Sequence, residues 1–302
     1  MRKPISAVSR TPIRIVVVTM DSHLGGALAR AETALKRDLP NLAVTMHAAD
    51  EWTGDPDALV DCHADIARAD IIIAAMLFLE EHIQAVLPAL RARRETCDAM
   101  IGLLSASEVV KLTRVGKFEM SGEAQGAVAW LKRMRGKGRN ESNARSQMKM
   151  LRQVPKLLRF IPGTAQDVRA YFMTLQYWLA GSEENLANMV KLLVGRYAAG
   201  ERVALAGLVK AASPIEYPEV GLYHPGTKHR IIEKLDHLPT SGNRGRVGLL
   251  LLRSYALSSN SAHYDGVIEA LEAKGLQVVP AFASGLDQRE AVGKYFTLNG
   301  KA

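Results

Sequence analysis

The chain has 302 residues, with 39 lysines and arginines against 31 acidic residues, a net charge of +8 and two cysteines. The length leaves room for two domains, and an apolar fraction of 48% is enough to build real cores. Two cysteines argue against a disulfide framework or a cysteine-built metal site, and a reducing cytosol is the expected compartment. No apolar run approaches the ~18 residues that mark a membrane-spanning helix. The longest, Ile71 to Leu79, is the size of a strand.

Residues 1–12 are basic and polar, without the apolar core of a signal peptide, and are expected to be a disordered lead-in. From there to residue 105 strand and helix patterns alternate. Ile13 to Thr19 is an apolar, β-branched run of the kind a strand buried on both faces requires. Leu28, Ala31, Leu35 and Leu39 then recur at helical spacing. Leu42 to Met46 reads as a second strand, and Asp55 to Ala67 as a helix turning Leu59, Val60, Cys62 and Ile66 inward. Ile71 to Ala75 is a third strand. Leu79 to Arg94 is a helix with Ile83, Val86, Leu87 and Leu90 on one face, and Ala99 to Leu104 a fourth strand. This alternation predicts a doubly wound parallel α/β domain with right-handed crossovers, over residues 13–135.

The positive charge is local. Lys111, Arg114, Lys117, Lys132, Arg133, Arg135, Lys137, Arg139, Arg145, Lys149, Arg152, Lys156 and Arg159 are opposed only by Glu119, Glu123 and Glu141. Such a segment fits a solvated loop, nucleic acid, an anionic membrane surface or an acidic partner. Between Lys132 and Arg159 it lacks the aromatic residues on which single-stranded bases would stack, so nucleic acid is not expected. Residues 136–166 read as a basic linker. Residues 136–146 hold almost no apolar side chain, which predicts an exposed connection. Residues 147–160 are amphipathic and suit packing on a neighbour or, less directly, peripheral membrane contact.

Residues 167–246 are read as a helical hairpin and a crossing segment. The first helix, Asp167 to Ala180, carries Tyr171, Phe172, Tyr177 and Trp178. The second is entered at Ser182 and carries Leu186, Met189, Val190, Leu193 and Tyr197. Residues 213–230 are rich in X-Pro turns and are expected to cross between domains rather than to enter a core. Residues 247–302 then start a second α/β domain: a strand from Val247, a polar loop, a helix, and a strand around Val278 and Val279. Two parallel strands cannot bury both faces of a sheet, so incomplete cover is expected here.

No Gly-x-Gly-x-x-Gly or Walker lysine pattern occurs, and Met20 to Ala27 reads as an ordinary strand-to-helix turn rather than a nucleotide site. No histidine pair has helical metal-ligand spacing, so no metal site is expected. One polar concentration stands out, at the carboxyl end of the strand from Val247: Arg253, Tyr255, Ser259, Asn260 and His263, with Asp287 after the following strand. In a parallel sheet the two loops face one crevice, which makes these residues candidates for a ligand rim. Ser259 and Asn260 read equally well as helix caps.

Several segments together resemble the family of the large porphyrin-binding H subunit of magnesium chelatase: Ile15 to His23, Gly102 to Thr113, Tyr177 to Asn185, Pro214 to Pro225, and the stretch from Val247 to Asp287. The tyrosine-, proline- and histidine-bearing segment from Pro214 to Pro225 and the Ser261-Ala262-His263-Tyr264-Asp265 segment are the specific ones. The resemblance covers nearly the whole chain and implies the N-terminal portion of a much longer protein. It implies protoporphyrin IX binding and ATP-dependent insertion of Mg2+ in chlorophyll or bacteriochlorophyll synthesis, with ATP hydrolysed by separate AAA+ subunits of I and D type. It carries no catalytic residue onto this chain, and the portion alone is expected to be inactive and to hold no cofactor. The compartment implied is the cytoplasm, or the plastid stroma in a plant or alga. The alternatives are a cobaltochelatase-type large subunit and a non-catalytic α/β binding module with a basic interaction segment.

Overall fold

The computed structural model describes residues 11–120, 153–239, 242–285 and 287–297. The expected lead-in, apart from residues 11 and 12, and the linker stretch 136–152 lie outside the described residues. The chain forms two compact units, residues 1–178 with 184–214, and residues 179–183 with 215–302.

The first unit is built on β1 (Ile13–Thr19), α1 (Gly25–Leu35), β2 (Leu42–Ala48), α2 (Pro56–Arg68), β3 (Ile71–Ala75), α3 (Glu80–Arg93) and β4 (Ala99–Leu103). The strand order is β2-β1-β3-β4, all parallel, so the chain reverses direction between β1 and β3. This is the doubly wound sheet that the alternating pattern predicts. All five residues of β3 and of β4 are buried, as strands covered on both faces must be. The inward set Ile83, Val86, Leu87 and Leu90 is buried as expected. Val60 is not. It is 63% exposed, because a helix turns by about 100° per residue and Val60 therefore stands roughly 200° from Cys62. Asp55 caps α2 by accepting from the Asp57 N–H at 3.1 Å.

After α4 (Ser107–Val110) a short antiparallel hairpin, β5 (Arg114–Val115) and β6 (Phe118–Glu119), extends the sheet. The sequence does not announce it, because two-residue strands carry no periodicity. Gly116 turns the hairpin at φ 57°, and a Cβ there would stand 2.6 Å from Asp167 Oδ2. Helices α5 (Thr164–Ala180) and α6 (Glu183–Tyr197) follow. The Tyr171 hydroxyl donates to the Gly102 carbonyl at 3.2 Å, which fixes α5 against β4. At the amino end of the sheet, Arg202 binds Asp98 through Nε and Nη2, both at 2.9 Å, and Asp70 through Nη1 at 3.3 Å. Asp70 in turn accepts from the Arg14 N–H at 2.8 Å, at the start of β1.

The second unit holds β7 (Val220–Tyr223), β8 (Ile231–Ile232), β9 (Arg246–Leu252), α7 (Arg253–Leu257), α8 (Ala262–Ala273), β10 (Gln277–Ala283) and α9 (Arg289–Tyr295). The strand order is β8-β7-β10-β9, with β9 and β10 parallel and β7 antiparallel to both β8 and β10. The expectation that residues 213–230 only cross between domains is corrected here. Leu222 and Tyr223 are fully buried in the sheet core, because the turn-forming prolines flank the four-residue strand and leave its ladder groups intact. Helix α8 covers the face that carries Tyr223, Leu251, Val278 and Phe282, and α9 covers the face that carries Leu222, Val279, Ala281 and Ala283. Strand β9 is an edge strand. On the α9 side Phe296 lies over Gly248, where a Cβ would come within 2.9 Å of its ring, and Leu250 and Leu252 remain 43% and 42% exposed.

Candidate functional site

The candidate rim lies where β9 and β10 end side by side, with Leu252 paired to Ala283. Arg253 opens α7 and is drawn back onto the chain before β7. Its Nε donates to the Pro218 carbonyl at 2.9 Å and its Nη2 to the Tyr217 carbonyl at 3.1 Å. The loop after α7 is tight. Ser259 adopts φ 55°, in the left-handed region that non-glycine residues seldom enter, and the Asn260 N–H donates to the Tyr255 carbonyl at 3.0 Å. This brings Tyr255 and His263 together, with ring centroids 5.4 Å apart and nearly perpendicular planes. His263 also lies over Tyr264 at 3.9 Å, and the Tyr264 hydroxyl accepts from the Leu252 N–H at 3.1 Å. Two tyrosines and an imidazole therefore stand at the carboxyl end of β9. Asp287 is drawn to Arg289, two residues on, by an ion pair of 2.7 Å and by the Arg289 N–H. Helix α8 begins at Ser261, which makes no side-chain cap. The capping role open to Ser259 and Asn260 in the sequence is therefore not what defines the start of this helix.

A second group of polar side chains lies along β7 and α8, apart from the residues that the sequence places on the rim. The Tyr223 hydroxyl is bonded to Ser261 Oγ at 2.7 Å and donates to Asp265 Oδ1 at 2.5 Å. Arg230 approaches the same hydroxyl at 3.3 Å and the Asp265 carboxylate at 3.7 Å. Burial, and then Asp265, push the Tyr223 phenol above its ordinary pKa, so it stays a proton donor. Beside it His224 is buried. The Gly226 N–H points at Nδ1 from 3.1 Å, so that nitrogen carries no proton and Nε2–H donates to Glu272 at 3.1 Å. The sequence does not single out this group as a site: Ser261 and Asp265 lie four residues apart, but their partner Tyr223 is 38 or more residues away from either.

The carboxyl edge of the first sheet offers less chemistry. Asp21 and His23 bond to each other after β1. Met76 and Leu104 take φ values of 62° and 46° where β3 and β4 end, and Ser105 links the two loops by accepting from the Leu77 N–H at 3.1 Å. Behind them Trp52 and His82 pack edge to face at 5.9 Å, with Trp52 Nε1 and His82 Nδ1 unpartnered among the described residues. Among the described residues no group of three or more His, Cys, Asp or Glu side chains could hold a metal ion. No described helix is long and apolar enough to cross a membrane.

Comparison with known proteins adds the following. Residues 14–172 match the family described as Domain of unknown function (DUF3479), and residues 175–302 the family described as CobN/Magnesium Chelatase. The magnesium-chelatase H subunit of Cereibacter sphaeroides is 49% identical over 299 residues, which is 98% of this chain and 25% of that protein. The chloroplastic magnesium-chelatase ChlH subunit of Oryza sativa subsp. japonica is 30% identical, over 91% of this chain and 21% of that protein. The chain thus spans about a quarter of the length of these relatives. The solved catalytic subunit of cobaltochelatase from Mycobacterium tuberculosis aligns with 94% of this chain and 18% of its own, at 12% identity and a TM-score of 0.44, a likeness too slight to carry an argument. The chain thus belongs to the DUF3479 family, whose model matches residues 14–172, and its residues from 175 onward are similar to the CobN/Magnesium Chelatase family.

Proposed function

We propose that this chain serves as part of a magnesium-chelatase H subunit, the porphyrin-handling component of an ATP-dependent ligase that inserts Mg2+ into protoporphyrin IX. The observation that carries the reading is the 49% identity to a bacterial H subunit, sustained over 98% of the chain. Protoporphyrin IX and Mg2+ are then substrates of the assembled enzyme, and ATP is consumed by partner AAA+ subunits of I and D type. The setting is the cytoplasm, or the plastid stroma in plants and algae. The role assigned to this chain is structural and substrate-guiding, and no metal-insertion residue is assigned to it. Within it, the rim of Arg253, Tyr255, Ser259, Asn260, His263 and Asp287 is the assigned place of porphyrin contact. The rings of Tyr255, His263 and Tyr264 suit the face or edge of a large planar molecule.

Two assays test the reading. This chain, exchanged for the matching residues of the Cereibacter sphaeroides protein, is expected to support magnesium protoporphyrin formation when the ATPase subunits, ATP and Mg2+ are supplied. A folded chimera without activity would overturn the assignment. The 302-residue chain alone, with the same additions, is expected to form no magnesium porphyrin, and turnover above a no-protein control would refute the supporting role.

A further inference from the structure

A turn before α5 presents large apolar side chains to solvent and holds them there. Residues 153–157 form one helical turn, and Leu158–Phe160 a tighter one. Val154 is fully buried and anchors the inner side, while Phe160 is 85% exposed, Leu157 58% and Ile161 50%. Exposed aromatic residues usually sit on loose chain. This one does not, because the Gln166 amide Nε2 is placed between three carbonyls of the turn, at 2.7 Å from Leu158, 3.2 Å from Arg159 and 2.6 Å from Ile161. Arg169 Nε holds the Pro155 carbonyl at 3.1 Å. The backbone of the turn is thus satisfied from below, and among the described residues its apolar side chains are left without cover. Such an arrangement is spent on a partner or it is a liability.

The charges around the turn say which partner fits. Lys156 and Arg159 are exposed on it, and the Arg159 guanidinium lies 5.5 Å from the centre of the Phe160 ring. Below, Arg169 is half-buried, and after its own burial the nearby positive charges of Arg159 and Arg196 are what pull its pKa down. The base of the turn is therefore positive. The sequence leading into it, residues 132–152, adds eight basic residues against Glu141 alone. Apolar side chains pointing outward, ringed by cations, match the boundary layer of an anionic bilayer: the rings enter the acyl edge and the cations meet lipid phosphates. We infer that residues 156–161 seat this protein on anionic lipid membranes, with Phe160, Leu157 and Ile161 inserted and Lys156 and Arg159 at the headgroups.

Flotation of the full chain with lipid vesicles tests this. Binding is expected to vesicles of phosphatidylcholine mixed with phosphatidylglycerol, to weaken at high salt, and to be absent with phosphatidylcholine alone. Phe160→Ala combined with Ile161→Ala should lower the partition coefficient about tenfold or more, and Lys156→Glu with Arg159→Glu by a similar factor. All four side chains are exposed, so the melting temperature should not move, and that measurement separates lost insertion from lost folding. Absence of flotation with the mixed vesicles would overturn the inference. So would binding left intact by both double variants, which would place the lipid contact elsewhere on the basic surface.

Discussion

The hydroxyl of Tyr197 donates to Asp167 Oδ1 at 3.1 Å, and both residues are buried. The same carboxylate accepts from Arg196 Nη2 at 3.1 Å and, through Oδ2, from the Lys117 N–H at 3.0 Å. One acidic side chain therefore joins α5, α6 and the β5–β6 hairpin. Asp167→Ala should cost about 3 kcal/mol, since it leaves a phenol, a guanidinium and a backbone N–H short of an acceptor. That is a fall of roughly 6–12 °C in melting temperature. Asp167→Asn, which keeps an acceptor oxygen, should lose less. A loss below about 1 kcal/mol for the alanine variant would show that the three elements are held by packing alone.

Tyr171 and Tyr177 are buried, and burial pushes the pKa of each up to about 12 from 10.0. Between pH 10 and 12 the folded protein keeps protons that the unfolded chain releases. Their contribution is complete below pH 10 and is lost as pH rises toward 12, by about 1.4 kcal/mol per pH unit for each tyrosine. Burial also holds the Cys62 and Cys97 thiols above their ordinary 9.0, so urea midpoints should begin to fall near pH 9 and fall more steeply above pH 10, where Tyr171→Phe should make the decline shallower. A decline unaffected by that substitution would mean that Tyr171 titrates normally.

Glycine substitutions at two positions separate steric from torsional cost. A Cβ at Gly102 would lie 2.5 Å from the Val109 carbonyl and 2.8 Å from Val110 Cα, both backbone atoms that cannot step aside. At Gly163, with φ 76°, nothing lies within 4 Å. Gly102→Ala should cost about 3 kcal/mol or more, and Gly163→Ala about 1 kcal/mol from backbone conformation alone. Denaturant titration of the two variants checks the order, and equal losses would contradict it.

Leu250 and Leu252 point from an edge strand, on a face that α9 leaves partly open. Open edges with apolar side chains favour association. Light scattering of the chain should show a mass that grows with concentration, and Leu250→Lys with Leu252→Lys should reduce that growth. A strictly monomeric chain at high concentration would mean that this face is not adhesive.

The parallel strands of the first unit were legible because Ile71 to Ala75 is apolar throughout and Ile13 to Val18 is apolar but for Arg14, which few structures other than a doubly covered strand accept. Strand β7 was hidden by the prolines around it, and β5–β6 by its shortness. The rim residues from Arg253 to His263 lie within eleven consecutive residues, so their proximity followed from spacing. In the sequence Asp167 stands out only as the first residue of a helix. Its bonds to Lys117 and Tyr197, across 50 and 30 residues of chain, are products of the fold and leave no periodic trace.

Arg202 reaches across 104 residues to Asp98 and further to Asp70, whereas β1, β3 and β4 pair over much shorter stretches of chain. Closing so long a loop has an entropic cost that local pairing does not, so this clasp joins after the sheet has formed. An interaction made after the rate-limiting step acts on escape rather than on arrival. Arg202→Ala should therefore steepen neither arm of the chevron and leave the folding rate nearly unchanged, while unfolding accelerates. The guanidinium at the foot of the sheet sets how long the folded first unit lasts, and has little part in how quickly it forms.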